Sequence, residues 1–292
     1  MRTGMDTLKT QYTAKHDFLV CIDSDGCAFD TMEIKHKECF CPVTVRKWDL
    51  QMLSSYVRDA WEYANLYSKT RGVNRYATLV QTIELVGRRK EVQDYPDILP
   101  DMSSLKKFLA ENPSPNLTTL AECDDPVLKK TYEWSVEINA EVAKTVHNIP
   151  PFPFVRESLE KLSEKADIVV MSATAKDALM REWTENDIAK YTNFICSQEE
   201  GNKKECINEI KKYYSQSRVL MIGDAPGDAK AASENGVGFY PIVPRKEIAS
   251  WKKFYADVID ILLEDKYTPD VQNKYTASFD SSLLDKPNWE EI

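Results

Sequence analysis

The chain has 292 residues, of which 42% are hydrophobic and 29% charged, so it can form one large domain or two modest ones around a substantial core. Its formal net charge of −9 disfavours binding to nucleic acid or to an anionic membrane, because both need a basic protein surface. A small anionic substrate remains compatible with this charge, since one bound cation and one lysine can reverse the field locally.

The N-terminal residues 1–17 lack the apolar segment of a signal peptide, and no apolar run in the chain reaches the length of a membrane span. Seven cysteines are an odd number, in a chain too large to need disulfide bonds. The closest pair, Cys39 and Cys41, has no second Cys/His pair nearby at zinc-site spacing, which favours buried apolar thiols over metal ligands. We therefore expect a cytoplasmic protein.

The first predicted strand is FLVCI, residues 18–22, a continuous apolar run typical of a sheet that is covered on both faces. Residues 31–149 then show apolar side chains at helical spacing and no convincing strand, which predicts an all-helical insertion. This insertion ends at IPPFPF, where three prolines within residues 150–153 prevent a regular helix and mark a linker.

From residue 150 onward, predicted helices alternate with four more strands, ADIVVMS, NFICS, RVLMIGD and GFYPIV. This alternation predicts an α/β fold, a Rossmann-like, doubly wound parallel sheet, built from residues 1–30 and 150–265. The last segment, residues 266–292, contains Pro269, Pro287 and few periodic apolar positions, so we predict an extended tail packed on the core.

The segment CIDSDGCAFD places two carboxylates at the end of the first strand. Asp23 and Asp25 face the same side, because residues two apart in an extended strand do so, and Gly26 permits a sharp turn. Two carboxylates this close repel each other, so we expect a cation beside them. The alternative interpretation is a strand-end turn with solvated acids.

Two further polar groups follow later strands. Ser172, in VVMSATAKD, precedes a helix whose free amides can bind phosphate oxygens, with Thr174 as a competing candidate; an ordinary helix N-cap is the alternative. Lys203 and Lys204 open another helix, where a lysine is slightly unfavourable unless it contacts an anion. Two solvated surface lysines are the simpler interpretation of that pair.

The last group, in VLMIGDAPGDAKAA, consists of Asp224 at a strand end and Asp228 four residues later. These acids form a plausible site for a hard cation such as Mg²⁺, although an N-cap acid followed by a first-turn acid is the alternative. The C-terminal ends of parallel strands converge on the ligand crevice of an open sheet, so all four groups are expected to meet there.

In this order, strand–DxDG, strand–Ser, Lys and strand–GDxxxD, the motifs resemble those of the haloacid dehalogenase-like hydrolase superfamily over residues 17–30 and 150–262. The helical insertion resembles that superfamily's cap of the first type. The resemblance implies that Asp23 attacks phosphorus to form an aspartyl-phosphate, and that Asp25 protonates the leaving oxygen and then activates water.

The resemblance further implies that Ser172 and Lys203 hold the phosphoryl oxygens, with Lys203 preferred over Lys204 because it directly follows a Gly-Asn turn. It implies that Mg²⁺ is carried by Asp224, by Asp23 and by the backbone carbonyl of Asp25. Asp228 would be a ligand or would support one.

Two residues depart from the superfamily pattern. They are Cys27, where Thr or Val is usual, and Arg245, where some relatives have glycine.

The stretch SKTRGVNRY in the insertion is the strongest candidate for substrate recognition outside the core. Gly72 interrupts the helical pattern there, and Arg71 and Arg75 stand four residues apart around it. Our hypothesis is that one of these arginines contacts a carboxylate or a second anionic group of the substrate. The alternative is a solvated connection between two helices.

These observations predict a Mg²⁺-dependent phosphatase that acts on a small phosphorylated metabolite. A phosphomutase shares every motif and is the nearest alternative. A non-catalytic relative that binds a phosphorylated ligand or a protein partner is an alternative of a different class. A dehalogenase is disfavoured, because such enzymes lack the second aspartate that Asp25 supplies.

Overall fold

A computed structural model describes residues 4–112 and 115–290, and its internal contacts divide the chain into two units. The core unit comprises Met1–Met32 and Asn148–Leu283, and the helical unit comprises Glu33–His147 and Leu284–Ile292. Residues 1–3, 113–114 and 291–292 belong to the predicted core, insertion and tail and lie outside the described residues. The contacts divide the chain at 32/33 and 147/148, where the sequence predicts 30/31 and 149/150.

Five parallel strands form the sheet of the core unit, in the order β3-β2-β1-β4-β5, which confirms the predicted α/β fold. The strands are β1 Phe18–Ile22, β2 Ala166–Met171, β3 Phe194–Cys196, β4 Val219–Gly223 and β5 Gly238–Pro241. In the register, Ile22 of the central strand β1 lies between Val170 of β2 and Ile222 of β4. The C-terminal ends of these three strands therefore lie side by side.

Both faces of the sheet are covered, which explains why β1 reads as a continuous apolar run. Val20 and Ile22 belong to one buried apolar cluster, and Leu19 and Cys21 belong to a second cluster on the opposite face. The α-helices of the core unit are Gly4–Gln11, Val155–Ser163, Lys176–Glu185, Lys203–Ile210, Pro226–Asn235, Glu247–Lys253, Ile259–Leu263 and Pro269–Asp280.

The helical unit is built around a cluster of buried aromatic side chains. Trp61 and Trp134 meet edge to face with ring centroids 6.3 Å apart, and Tyr76 contacts Trp134 at 6.2 Å. Its α-helices are Cys41–Lys47, Ser54–Glu62, Arg75–Gly87, Lys90–Gln93, Ser103–Glu111, Leu117–Ala121 and Pro126–Thr145, and Thr31–Ile34 leads into it. Within the described ranges, no helix combines the length and apolar character that a membrane span requires.

The C-terminal segment differs from the extended tail that the sequence predicts. Pro269–Asp280 is a helix whose N-terminus is capped by the side chain of Thr268. Its apolar residues Val271, Tyr275 and Phe279 are four apart and face the core clusters. The residues after Leu283 belong to the helical unit, where the ring of Trp289 lies 4.0 Å from the Arg89 guanidinium. The sequence indicates an extended tail because Pro269 and Pro287 flank this segment and its apolar positions are few.

Candidate active site

Three of the predicted site residues follow three adjacent strands. Asp23 is the first residue after β1, and its N–H donates to the carbonyl of Ile222 at 3.0 Å. Ser172 is the first residue after β2, and its N–H donates to the carbonyl of Cys196 at 2.9 Å. Asp224 is the first residue after β4. The ladder hydrogen bonds of the sheet thus fix the positions from which all three side chains emerge.

Lys203 joins this group from the first turn of the helix Lys203–Ile210. Its Nζ lies 2.9 Å from Asp23 Oδ1 and 2.5 Å from Asp228 Oδ1. The side chain of Lys204 is 58% exposed and pairs with Glu234 at 3.0 Å. Of the two lysines that the sequence left open, the structure therefore brings Lys203 to the acidic residues.

The helix start that presents Lys203 is locally encoded. Asn202 is the N-cap, and its side chain accepts the N–H of Glu205 at 3.0 Å, while Glu205 Oε2 lies 3.4 Å from the Asn202 N–H. This reciprocal capping fixes the point at which the helix begins. The phase of the helix then decides which of two consecutive lysines points toward the strand ends.

Three buried carboxylates form the acidic part of the site. Asp23, Asp224 and Asp228 each offer an oxygen within 4.8 Å of the others. Burial raises the pKa of Asp23 well above its ordinary value, and the neighbouring Asp228 and Asp224 add to this, although Lys203 opposes it. Burial would lower the pKa of Lys203, but Asp228 and Asp23 reverse this and raise it.

Lys203 neutralises only one of these three carboxylates, so the ionised group carries two excess negative charges. A buried excess of this kind is unfavourable without a counter-ion, and a divalent cation matches it in charge. Carboxylate oxygens are also the ligands that Mg²⁺ prefers. The donor set of this site therefore fits Mg²⁺.

The two oxygens of Asp23 differ in their contacts. Oδ1 accepts the N–H of Ser24 at 2.8 Å and faces Lys203 Nζ. Oδ2 accepts no hydrogen bond from any described residue. The carboxylate is thus held through one of its two oxygens.

Asp25 has different partners from Asp23. Thr31 Oγ1 donates to its Oδ1 at 2.5 Å, and Thr174 Oγ1 donates to its Oδ2 at 2.8 Å. Its carboxylate is not part of the three-acid group. Gly26, at φ +77°, allows the turn that follows. The sequence indicates Thr174 only as a phosphate contact. It gives no signal for Thr31, because a hydroxyl six residues after Asp25 forms no recognisable motif.

The side chain of Asp228 packs against the end of β4. Its Oδ2 accepts the N–H of Ala225 at 3.1 Å. A Cβ placed on Gly223 would lie 2.3 Å from the carboxyl carbon of Asp228. The glycine before Asp224 is therefore required by the close approach of this side chain.

Arg71 and Arg75 lie in the helical unit, and their contacts there distinguish them. Arg71 is 3% exposed and donates from Nη1 to the carbonyl of Leu66 at 2.8 Å. Arg75 donates to Asn139 Oδ1 at 2.8 Å and to Ser135 Oγ at 3.3 Å, and its guanidinium lies 4.8 Å from the ring of Phe40. Burial lowers the pKa of Arg75. Its contacts within the described residues are all neutral.

A family model described as haloacid dehalogenase-like hydrolase matches residues 78–242, more than half of the chain. This range includes Ser172, Lys203, Asp224 and Asp228 and begins after Asp23. No protein of curated function matches the chain.

Among solved structures, the chain is similar to a haloacid dehalogenase-like family hydrolase from Xanthomonas campestris (11% identity, TM-score 0.49, covering 87% of this chain and 97% of that one). It is similar to a candidate phosphoglycolate phosphatase from Lactobacillus delbrueckii subsp. bulgaricus (12% identity, TM-score 0.47, covering 87% and 99%). It is also similar to the L-2-haloacid dehalogenase from Xanthobacter autotrophicus (14% identity, TM-score 0.37, covering 85% and 86%). The family match over more than half of its length shows that the chain belongs to the haloacid dehalogenase-like hydrolases.

Proposed function

We propose that the protein is a Mg²⁺-dependent phosphatase that hydrolyses a small-molecule phosphate monoester through an aspartyl-phosphate intermediate. The observation that carries this proposal is the group formed by Asp23, Asp224, Asp228 and Lys203 at the strand ends. Phosphoryl transfer depends mainly on positioning and on charge neutralisation, and this group supplies a nucleophile, a cation and a metal-binding donor set.

Asp23 is the proposed nucleophile. Its Oδ2 attacks phosphorus while Oδ1 is held by the Ser24 N–H. Lys203 and Ser172 hold the phosphoryl oxygens. Asp23, Asp224 and the backbone carbonyl of Asp25 would hold Mg²⁺, with Asp228 as ligand or support, and the bound ion would neutralise charge on the phosphoryl group.

Asp25 is the proposed general acid and base. It protonates the leaving oxygen of the ester and then accepts a proton from the water that hydrolyses the aspartyl-phosphate. The hydroxyls of Thr31 and Thr174 hold the two oxygens of its carboxylate in a fixed orientation. This arrangement separates its role from that of Asp23, whose partners are a backbone N–H and a lysine.

We also propose that the substrate carries a second anionic group that contacts Arg75. A partly buried guanidinium whose partners among the described residues are all neutral gains more from an anion than one already paired with an acid. Arg71, which is held by a backbone carbonyl, is the less favoured candidate. The seven free cysteines support action in a reducing compartment, the cytoplasm.

The test is hydrolysis of p-nitrophenyl phosphate and of a panel of metabolite phosphates, with phosphate release as the readout. Asp23→Asn is expected to lower kcat by at least about 10³-fold, because the amide cannot act as the nucleophile. Asp280→Asn, an exposed acid-to-amide change in the core unit, is the matched control. EDTA should abolish activity and added Mg²⁺ should restore it.

Three results would contradict the phosphatase assignment. They are an inactive wild type across the panel, an Asp23→Asn variant that keeps its activity, and an isomerised sugar phosphate formed without free phosphate. The last result would identify a mutase.

A further inference from the structure

Ser24, the residue between Asp23 and Asp25, has a side chain that the mechanism above does not use. It is fully buried, and its Oγ makes two hydrogen bonds to consecutive residues of the helix Lys176–Glu185. The hydroxyl donates to Glu182 Oε2 at 2.9 Å and accepts from Trp183 Nε1 at 2.9 Å.

The direction of both hydrogen bonds is fixed by chemistry. An indole N–H can only donate, so Ser24 Oγ must be its acceptor, and the hydroxyl hydrogen is left for Glu182. Trp183 is itself immobilised, because it is fully buried and packs edge to face on Phe29 with ring centroids 5.7 Å apart. The Ser24 hydroxyl is thus held in one orientation, with its hydrogen donated to the carboxylate of Glu182.

The backbone of Ser24 organises the turn after β1. Its carbonyl accepts the N–H groups of Ala28 at 2.9 Å, Phe29 at 3.1 Å and Cys27 at 3.3 Å. Its own N–H donates to Asp23 Oδ1 at 2.8 Å. A shift of Ser24 would therefore move both the turn and the hydrogen bond that orients Asp23.

The same segment of chain also contacts Asp25. Thr174, just before the helix Lys176–Glu185, donates to Asp25 Oδ2, and its N–H lies 3.2 Å from Ser172 Oγ. Residues 172–183 therefore contact Asp25 near one end and Ser24 at the other. The segment that carries the phosphate-holding serine is in this way connected to both aspartates of the first motif.

On the basis of the phosphatase function above, we propose that Glu182, together with Trp183, is a positioning residue that acts through Ser24 to orient the nucleophile Asp23. Glu182 touches no reacting atom in this role. Because a misplacement of about 1 Å can cost on the order of 100-fold in rate, a partial loss of this support should lower kcat by about tenfold and leave KM within about twofold.

The experiment is a double-mutant cycle on the full-length enzyme, with kcat and KM measured at saturating Mg²⁺ for Ser24→Ala, Glu182→Ala and the double variant. If Glu182 acts through Ser24, the double variant is no slower than the slower single variant, about tenfold below wild type. Independent roles would multiply to about 100-fold. Glu182→Gln, which keeps an acceptor oxygen, should retain kcat within about threefold. Arg181→Ala, an exposed change next to Glu182, is the control for the helix.

Multiplicative losses would overturn the proposal, as would unchanged kcat in folded Ser24→Ala and Glu182→Ala variants, or a Glu182→Gln variant as slow as Glu182→Ala. Melting temperatures identify a variant that fails to fold. If Ser24→Ala fails to fold, the comparison of kcat between Glu182→Ala and Glu182→Gln tests the proposal by itself. Failure of the phosphatase assignment gives a different result. In that case the wild-type enzyme shows no phosphate release, or Asp23→Asn does not remove it.

Discussion

Two cationic side chains, Lys203 in the core unit and Arg75 in the helical unit, differ in the partners that surround them. In the core unit, Lys203 lies between Asp23 and Asp228, so the chain itself provides part of the compensation. In the helical unit, Arg75 has only amide, hydroxyl and aromatic partners among the described residues. The acidic residues around Lys203 are therefore partly neutralised by the chain itself, whereas Arg75 has no acidic partner among the described residues. Under the function proposed above, the reaction type would depend on Lys203 and its acidic neighbours, and the substrate selectivity on Arg75.

The largest effect is expected when the ammonium group of Lys203 is removed. Lys203→Met leaves Asp23 and Asp228 buried without their ammonium partner and removes a donor to the phosphoryl group. Loss of one such preorganised donor costs about 10²- to 10³-fold in kcat, and we expect a loss in this range. Lys204→Met is the matched control, since Lys204 is exposed and pairs with Glu234. Equal activities of the two variants would show that the Lys203 ion pairs have no part in catalysis.

A second variant keeps every charge and changes only the geometry. Gly223→Ala places a methyl group 2.3 Å from the Asp228 carboxyl carbon, so that Asp228 must move away from Lys203 and from its neighbours. We expect kcat to fall by on the order of 100-fold, with a higher Mg²⁺ concentration needed for half-maximal activity. Gly227→Ala is the control, because a Cβ there meets nothing within 4 Å. Similar Mg²⁺ titrations for both alanine variants would contradict the role of Asp228.

A variant of Arg75 tests the helical unit in the same way. A charged hydrogen bond contributes about 1.5–3 kcal/mol, so Arg75→Ala should lower kcat/KM by about 10- to 100-fold for a substrate with a second anionic group. The measurement compares 3-phosphoglycerate with glycerol 3-phosphate, which differ in one carboxylate. The turnover of glycerol 3-phosphate, in which a neutral hydroxymethyl group replaces the carboxylate, should be affected far less. Arg46→Ala, which removes an exposed arginine paired with Glu137, is the control. An equal loss on both substrates would assign Arg75 to the stability of the helical unit.

The sequence predicted the strands and the residues that follow them because both signals are local. An apolar run such as FLVCI followed by Asp23, or VLMIG followed by Asp224, needs no knowledge of distant contacts. The choice between Lys203 and Lys204 was more difficult, since one residue of helical phase turns a side chain by about 100°. It follows from the capping by Asn202, which is visible in the sequence once the helix start is known.

Other features depend on contacts that no local pattern encodes. Thr31 reaches Asp25 because the turn around Ser24 brings them together, and Glu182 reaches Ser24 from 158 residues away. The neutral partners of Arg75, Ser135 and Asn139, are 60 and 64 residues distant. Such side-chain placement follows from tertiary packing, which is why the family and the fold could be inferred from the sequence and these supporting contacts could not.

The smallest expected effect on activity comes from Glu200, a buried carboxylate that is paired with a lysine and lies outside the group of Asp23, Asp224, Asp228 and Lys203. Glu200, 2% exposed, pairs with Lys176 Nζ at 2.6 Å and accepts the N–H of Ser197 at 2.8 Å, just before the loop that leads to Lys203. Burial alone would raise the pKa of Glu200, but these partners outweigh it and lower the pKa below its ordinary value of 4.5. Because the folded-state pKa is depressed, the stabilisation is present above the unfolded-state pKa and is lost as the pH falls through the folded-state value.

Glu200→Gln should therefore lower the free energy of unfolding by about 1–3 kcal/mol at pH 7 while changing kcat little. The difference from wild type should shrink as the pH falls below 4.5, because the wild-type carboxylate becomes protonated there. Thermal melts at several pH values measure this, with Glu264→Gln, an exposed carboxylate paired with Lys266, as the control. A destabilisation that does not vary with pH would mean that the shape of the side chain matters and its charge does not.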